Sequence, residues 1–178
     1  MRILYRMRQF WHAVAVKVDP NELARARELL NTAQWELFER LQPGEKRHAL
    51  AMLERLAGQG ESQPDLIVAT LLHDVGKLRY PLNPLERTIV VLAGALMPGL
   101  VRNWGRLSPD GFETLPRWRK AFVVSEQHAG WGADLARISG VSPLAEALIR
   151  EHHHPHALSA DRIESRLLHK LWVADNKS

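Results

Sequence analysis

His73 and Asp74 stand side by side at the end of an apolar run, Leu66-Ile67-Val68-Ala69-Thr70-Leu71-Leu72, and Val75-Gly76-Lys77 follows them. A helix opening near Pro64 would bury that run and carry an imidazole and a carboxylate into the interior at its end. Burying an ionised carboxylate is costly unless another charge compensates it. A divalent metal held by both side chains supplies that charge, because neutral imidazole and carboxylate are ordinary nitrogen and oxygen ligands. Gly76 offers a helix stop, and Lys77 a cation close by. A single His-Asp dipeptide is better explained by a hydrogen-bonded pair at a helix C-terminus. The metal reading gains weight from residues elsewhere in the chain: His48, His128, the run His152-His153-His154, and Asp175, each in a segment of helical pattern.

Those segments follow from apolar spacing. Leu50, Leu53 and Leu56, with Ala49 and Met52, mark a core-facing helix from Glu45 to Leu56 that carries His48. Asn83-Pro84 opens a helix whose Leu85, Ile89, Leu92 and Leu96 recur at helical spacing and predict a core face. Residues 98–116, rich in Gly, Pro, Ser and Asp, read as a long irregular loop of the kind that serves as a lid. Ser125 is expected to cap a helix from Glu126 to Ser139, with His128 and Gly132 one turn apart and Gly140 as its stop. Glycine at 132 would let two backbones approach closely. Ser142-Pro143 starts the helix that closes in the histidine cluster. Ser159 to Asp175 forms the last, with Ile163, Leu167, Leu168, Leu171 and Trp172 on its apolar face.

Upstream, residues 2–16 have an amphipathic pattern, and Asp19-Pro20-Asn21-Glu22 reads as an N-cap, a first-turn proline and a capping box. A short helix with Trp35, Leu37, Phe38 and Leu41 is expected to end at Pro43-Gly44. No stretch alternates as a strand would. The expected fold is therefore an all-α bundle, with residues 1–44 a helical extension packed on a domain spanning 45–178.

In their order, these residues resemble the HD superfamily of metal-dependent phosphohydrolases, whose pattern is a histidine, then His-Asp, then further histidines, then an aspartate. Here the pattern reads His48, His73-Asp74, His128, His152-His153, Asp175, and the most specific stretch is Leu71-Leu72-His73-Asp74-Val75-Gly76-Lys77. The segment from His128 through Gly132 to Leu135 is similar to the HxxxGxxL phrase of many such proteins. The resemblance covers Glu45 to Lys177 and implies the helical bundle of that family. It also implies that His48, His73, Asp74 and Asp175 hold one metal, with Asp74 bridging to a second held by His128, His152 and His153. A register using His153 and His154 stays open, and His156 is read as a bystander. Lys77 is implied as the group that holds a phosphate oxygen, so Asp74 and Lys77 are the catalytic candidates. Pro155-His156-Ala157-Leu158 stands where a Gly-Tyr-Pro would follow in the HD-GYP cyclic-dinucleotide phosphodiesterases, which argues against that subgroup.

Composition narrows the chemistry. With no cysteine there is neither a disulfide framework nor a thiolate ligand or nucleophile. Nitrogen and oxygen ligands suit divalent Fe, Mn or Mg, one or two per chain, better than a structural zinc site. A net charge of +4 and a pI near 9.8 favour anionic ligands. The positive charges are scattered, and no nucleic-acid binding is expected. The N-terminus makes a poor signal peptide. The most apolar stretch, Thr88 to Val101, is 14 residues long and broken by Pro98-Gly99. It is too short for a membrane span and reads as a buried helix rather than a lipid-touching surface.

The expectation is a cytoplasmic metal-dependent phosphohydrolase acting on a small phosphorylated substrate, a nucleotide or another phosphate mono- or diester. An oligomer is compatible with it. Two other readings share the ligand set: a di-iron oxygenase of the same fold, and a non-catalytic nucleotide-binding module. Oxygen consumption marks the first, and binding without turnover at saturating metal marks the second.

Overall fold

The computed structural model describes residues 18–107, 111–155 and 163–177. The helix expected over residues 2–16, the start of the last segment from Ser159 to Arg162, and His156 lie outside the described residues. Among the described residues the chain forms nine α-helices and one 3-10 turn, with no strand, so the fold is all-α.

Helix α1 (Pro20–Leu29) begins at the expected cap, where the Asp19 carboxylate accepts from the Asn21 N–H at 2.8 Å. Glu22 does not complete a capping box; its carboxyl lies beside Glu54 instead. In α2 (Thr32–Glu39) the box is made by Asn31 and Gln34. Pro43-Gly44, expected as a stop, forms the first turn of α3 (Pro43–Gly58), with Gln42 and Glu45 capping it. A proline at the first helical position loses nothing, because its missing N–H would have had no partner there. Ala26, Leu30 and Phe38 of this N-terminal region enter the same core as the helices that follow.

Helix α4 (Pro64–Leu72) is the centre of the bundle. It packs on α3 at one side and α8 (Pro143–Glu151) at the other, with α9 (Ile163–Lys177) against both it and α8. A helix apolar on nearly every side must be surrounded, and Leu66, Ala69, Leu71 and Leu72 are fully buried. Each leucine so buried is worth roughly 1.5–3 kcal/mol over the exposed state. On α9, Leu167, Leu168 and Leu171 meet this core, whereas Ile163 at the first turn is exposed and Trp172 is half-buried.

Three expectations fail in the middle of the chain. Residues 98–116 are not one loop, since α6 (Pro98–Trp104) forms within them. Ser125 caps nothing. It lies inside α7 (Arg117–Ile138), a single 22-residue helix that starts after Pro116. A mid-helix serine costs only a few tenths of a kcal/mol, and the unbroken buried stripe of Val124, His128, Ala129, Gly132 and Ala136 outweighs it.

The third failure is the buried face of α5 (Pro84–Leu96). Val90 and Ala93 are buried, while Leu85, Ile89 and Leu96 are 68%, 47% and 70% exposed. Two polar side chains decide this rotation. Arg87 donates to Gln42 Oε1 and Glu45 Oε1, both at 2.6 Å, and Glu86 accepts from the Tyr80 hydroxyl at 3.2 Å. Holding residues 86 and 87 inward turns the leucine stripe outward.

Candidate metal centre

The centre is assembled where α4 ends. His73 is the C-cap of α4, and Asp74, at φ −96° and ψ 0°, opens the 3-10 turn Val75–Arg79. Gly76 is inside that turn and is not the stop the sequence suggested. Its role is contact with α7. A Cβ on Gly76 would collide with the carbonyl oxygen of His128 and lie 2.7 Å from the Gly132 nitrogen. A Cβ on Gly132 would stand 3.1 Å from the Gly76 nitrogen and 3.4 Å from the His73 oxygen. The two glycines let backbone meet backbone, which sets His73-Asp74 against His128.

Two groups of potential ligands result. His48 on α3, His73 and Asp175 on α9 bring one donor atom each to within 4.8 Å of one another, and so do His128, His152 and His153. Within the first group, His48 Nε2 is 2.9 Å from Asp175 Oδ1. Within the second, the His128 and His153 Nε2 atoms are 3.1 Å apart. Asp74 lies between the groups, with Oδ2 3.6 Å from His73 Nε2 and Oδ1 3.4 Å from His128 Nε2. The rings of His73 and His152 join the two groups at 5.2 Å between centroids. Lys77 donates to Asp74 Oδ2 at 2.7 Å.

Backbone carbonyls set the tautomers. A carbonyl oxygen only accepts, so Nδ1 is the donor in His73 to Thr70 (2.9 Å), in His128 to Val124 and Ser125 (3.0 Å each), and in His152 to Ile149 (2.7 Å). In its neutral form each of these rings carries its lone pair on Nε2, within the cluster. His152 Nε2 is buried and has no partner among the described residues. A bare buried acceptor costs about 1–3 kcal/mol. A cation would satisfy it.

Charge states match that use. Burial, reinforced by His153, His73 and His128, holds His152 well below the ordinary histidine range. Burial also lowers His73, against the pull of Asp74 and Asp175. His153 has an exposed residue surface, but its ring packs on His152 and His128, and desolvation with the His128 charge brings it down to about 4. Burial alone would raise Asp74, but Lys77, His73 and His128 outweigh it and keep the carboxyl well below its usual range. In Asp175 burial is likewise overcome, by the His48 hydrogen bond and the electrostatic influence of the adjacent His73. His73, His152 and His153 are therefore neutral imidazoles and Asp74 and Asp175 ionised carboxylates, donors that divalent Fe, Mn or Mg accepts.

The structure brings together His48, His73, Asp74, His128, His152, His153, Asp175 and Lys77 from five separate segments. His154 is not in either group. Its ring is exposed and 3.8 Å from Glu151, so the geometry favours the His152-His153 register. The carbonyls of Thr70, Val124, Ser125 and Ile149 were not found by reading the sequence. Their one signal is that each precedes its histidine by three or four positions.

A comparison with protein families matches this chain to the HD domain over residues 46–177. The chain belongs to the HD domain family. The matched span begins two residues before His48 and ends two after Asp175, so it encloses both ligand groups. HD domains bind divalent metals and are mostly metal-dependent hydrolases. Searches of curated proteins and of solved structures returned no match.

Proposed function

We propose that this HD domain is a phosphohydrolase with two adjacent metal sites, acting on a nucleotide or another small phosphate mono- or diester. The observation that carries the reading is Asp74, whose two carboxylate oxygens face one ligand group each, at 3.6 and 3.4 Å. In this reading His48, His73, Asp74 and Asp175 hold one cation, and Asp74, His128, His152 and His153 the other. Such a pair supplies an acidified water as nucleophile and offsets charge on the phosphoryl oxygens.

The chain's own residues do the rest. The carbonyls behind His73, His128 and His152 hold each ring with Nε2 presented, so little reorganisation is needed on loading. Lys77 neutralises Asp74 in the metal-free chain. With cations bound at Asp74, the Lys77 ammonium would be available to hold a phosphate oxygen. A formal net charge of +4 favours the approach of an anionic substrate.

The test is elemental analysis of untagged protein, followed by hydrolysis of bis-p-nitrophenyl phosphate after chelation and restoration of Mn or Fe. Expected are about two metals per chain and turnover that disappears with chelation and returns with metal. Full metal occupancy without hydrolysis would overturn the reading. Oxygen consumption by an iron-loaded sample of that kind would support the oxygenase alternative.

A further inference from the structure

The face of α5 that was expected to be core is instead an apolar surface continued by α6. Of the eleven large apolar side chains exposed among the described residues, eight lie between Leu85 and Trp118. Leu85, Ile89 and Leu96 form one stripe along α5. Leu96, Met97 and Leu100, exposed by 70%, 44% and 46%, form an apolar corner where Pro98 turns the chain into α6. Exposed apolar clusters of this kind on a folded domain mark interaction sites.

The charges around the corner identify what fits it. From Arg87 to Pro109 the sequence contains no acidic residue, and its only charges are Arg87, Arg102 and Arg106. Arg87 is turned inward to Glu45. Arg102 and Arg106 are exposed and make no ion pair among the described residues. Of the neighbouring acids, Glu86 is paired with Arg117 at 3.1 Å, Glu113 lies 3.7 Å from Lys120, and the exposed Glu126 packs its side-chain stem against Gly105. An apolar corner followed in the chain by two exposed arginines without an ion pair among the described residues complements a layer with an apolar interior and anionic headgroups, because arginine keeps its charge among phosphates while its stem lies on apolar surface. A second copy fits less well: a two-fold contact would set this patch against itself and its arginines near one another. No helix among the described residues is long and apolar enough to cross a membrane.

We propose that the α5–α6 corner is a docking surface for an anionic lipid membrane, with Leu96, Met97 and Leu100 entering the headgroup boundary and Arg102 and Arg106 contacting lipid phosphates. This holds independently of what the metal centre hydrolyses.

The test uses the full chain, metal-loaded, sedimented with vesicles of phosphatidylcholine mixed with phosphatidylglycerol and with vesicles of phosphatidylcholine alone. Binding is expected to the mixed vesicles, weakened by salt, and much less to the neutral ones. Because both leucines are exposed, Leu96→Asp with Leu100→Asp should keep circular dichroism and metal content while lowering vesicle affinity at least tenfold, given the apolar area withdrawn. Arg102→Glu should lower it by roughly tenfold, from one cation lost and one anion gained near the surface. Failure of the unaltered chain to bind mixed vesicles, or undiminished binding by the double variant, overturns the proposal. So does a lipid-free dimer that the double variant abolishes, which would assign the face to a second copy.

Discussion

Asp74 is the residue that stands between the two groups of potential ligands. It lies between His73 and His128, pairs with Lys77, and remains ionised despite its burial. Replacing it with alanine or asparagine removes the one carboxylate common to both proposed sites and leaves Lys77 without its partner. Asp74→Ala is expected to abolish metal binding and turnover; elemental analysis showing normal metal content would overturn the assignment. His152→Ala should have a narrower effect. It removes one acceptor from the group with His128 and His153, so metal content should fall by about half, while His154→Ala should leave it unchanged. An equal loss in both variants would mean that the histidine register is wrong.

At the scale of elements, the crossing of the 3-10 turn over α7 positions Asp74. It is a contact of two backbones with no room for a side chain at Gly76. Gly76→Ala forces the turn away from His128, and the strain should cost about 3 kcal/mol. Urea denaturation of the metal-free protein reads that loss, and metal affinity should fall with it because His73 and Asp74 move together. A variant as stable as the parent would show that the turn relaxes freely. Helix α5 teaches the complementary lesson. A leucine stripe at helical spacing shows that a helix has an apolar face, but Glu86 and Arg87 decide which face turns inward.

For the molecule as a whole, the cluster links folding to protons and, in the proposed reading, to metal. His73, His152 and His153 have folded-state pKa values below the ordinary histidine value, so protonation favours the unfolded chain. Metal-free protein should therefore lose stability as pH falls below about 6.5, with the His153 contribution lost by about 4. The depressed carboxyls of Asp74 and Asp175 add a further loss below about pH 4. Thermal denaturation of chelated protein from neutral to acidic pH checks this, and a midpoint that does not move between pH 7 and 5 would contradict it. Saturating Mn or Fe should raise the midpoint at neutral pH, since the cation binds the folded chain preferentially, and acid should release it.

Fold class, most helix starts and the candidate ligands were legible in the sequence, because each is a local property. Apolar periodicity reports an amphipathic helix, Ser142-Pro143 or Gln63-Pro64 reports where one begins, and an imidazole or carboxylate is a potential ligand wherever it stands. The amino-acid sequence by itself thus determined an all-α chain with histidines and aspartates in the HD order. Tertiary structure alone decided that Asp74 lies between two groups, that His153 and not His154 joins the second, and that α5 turns its leucines to solvent. Those outcomes depend on how segments distant in the chain meet: Gly76 on Gly132, and Arg87 on Glu45. No spacing within a single segment encodes such meetings.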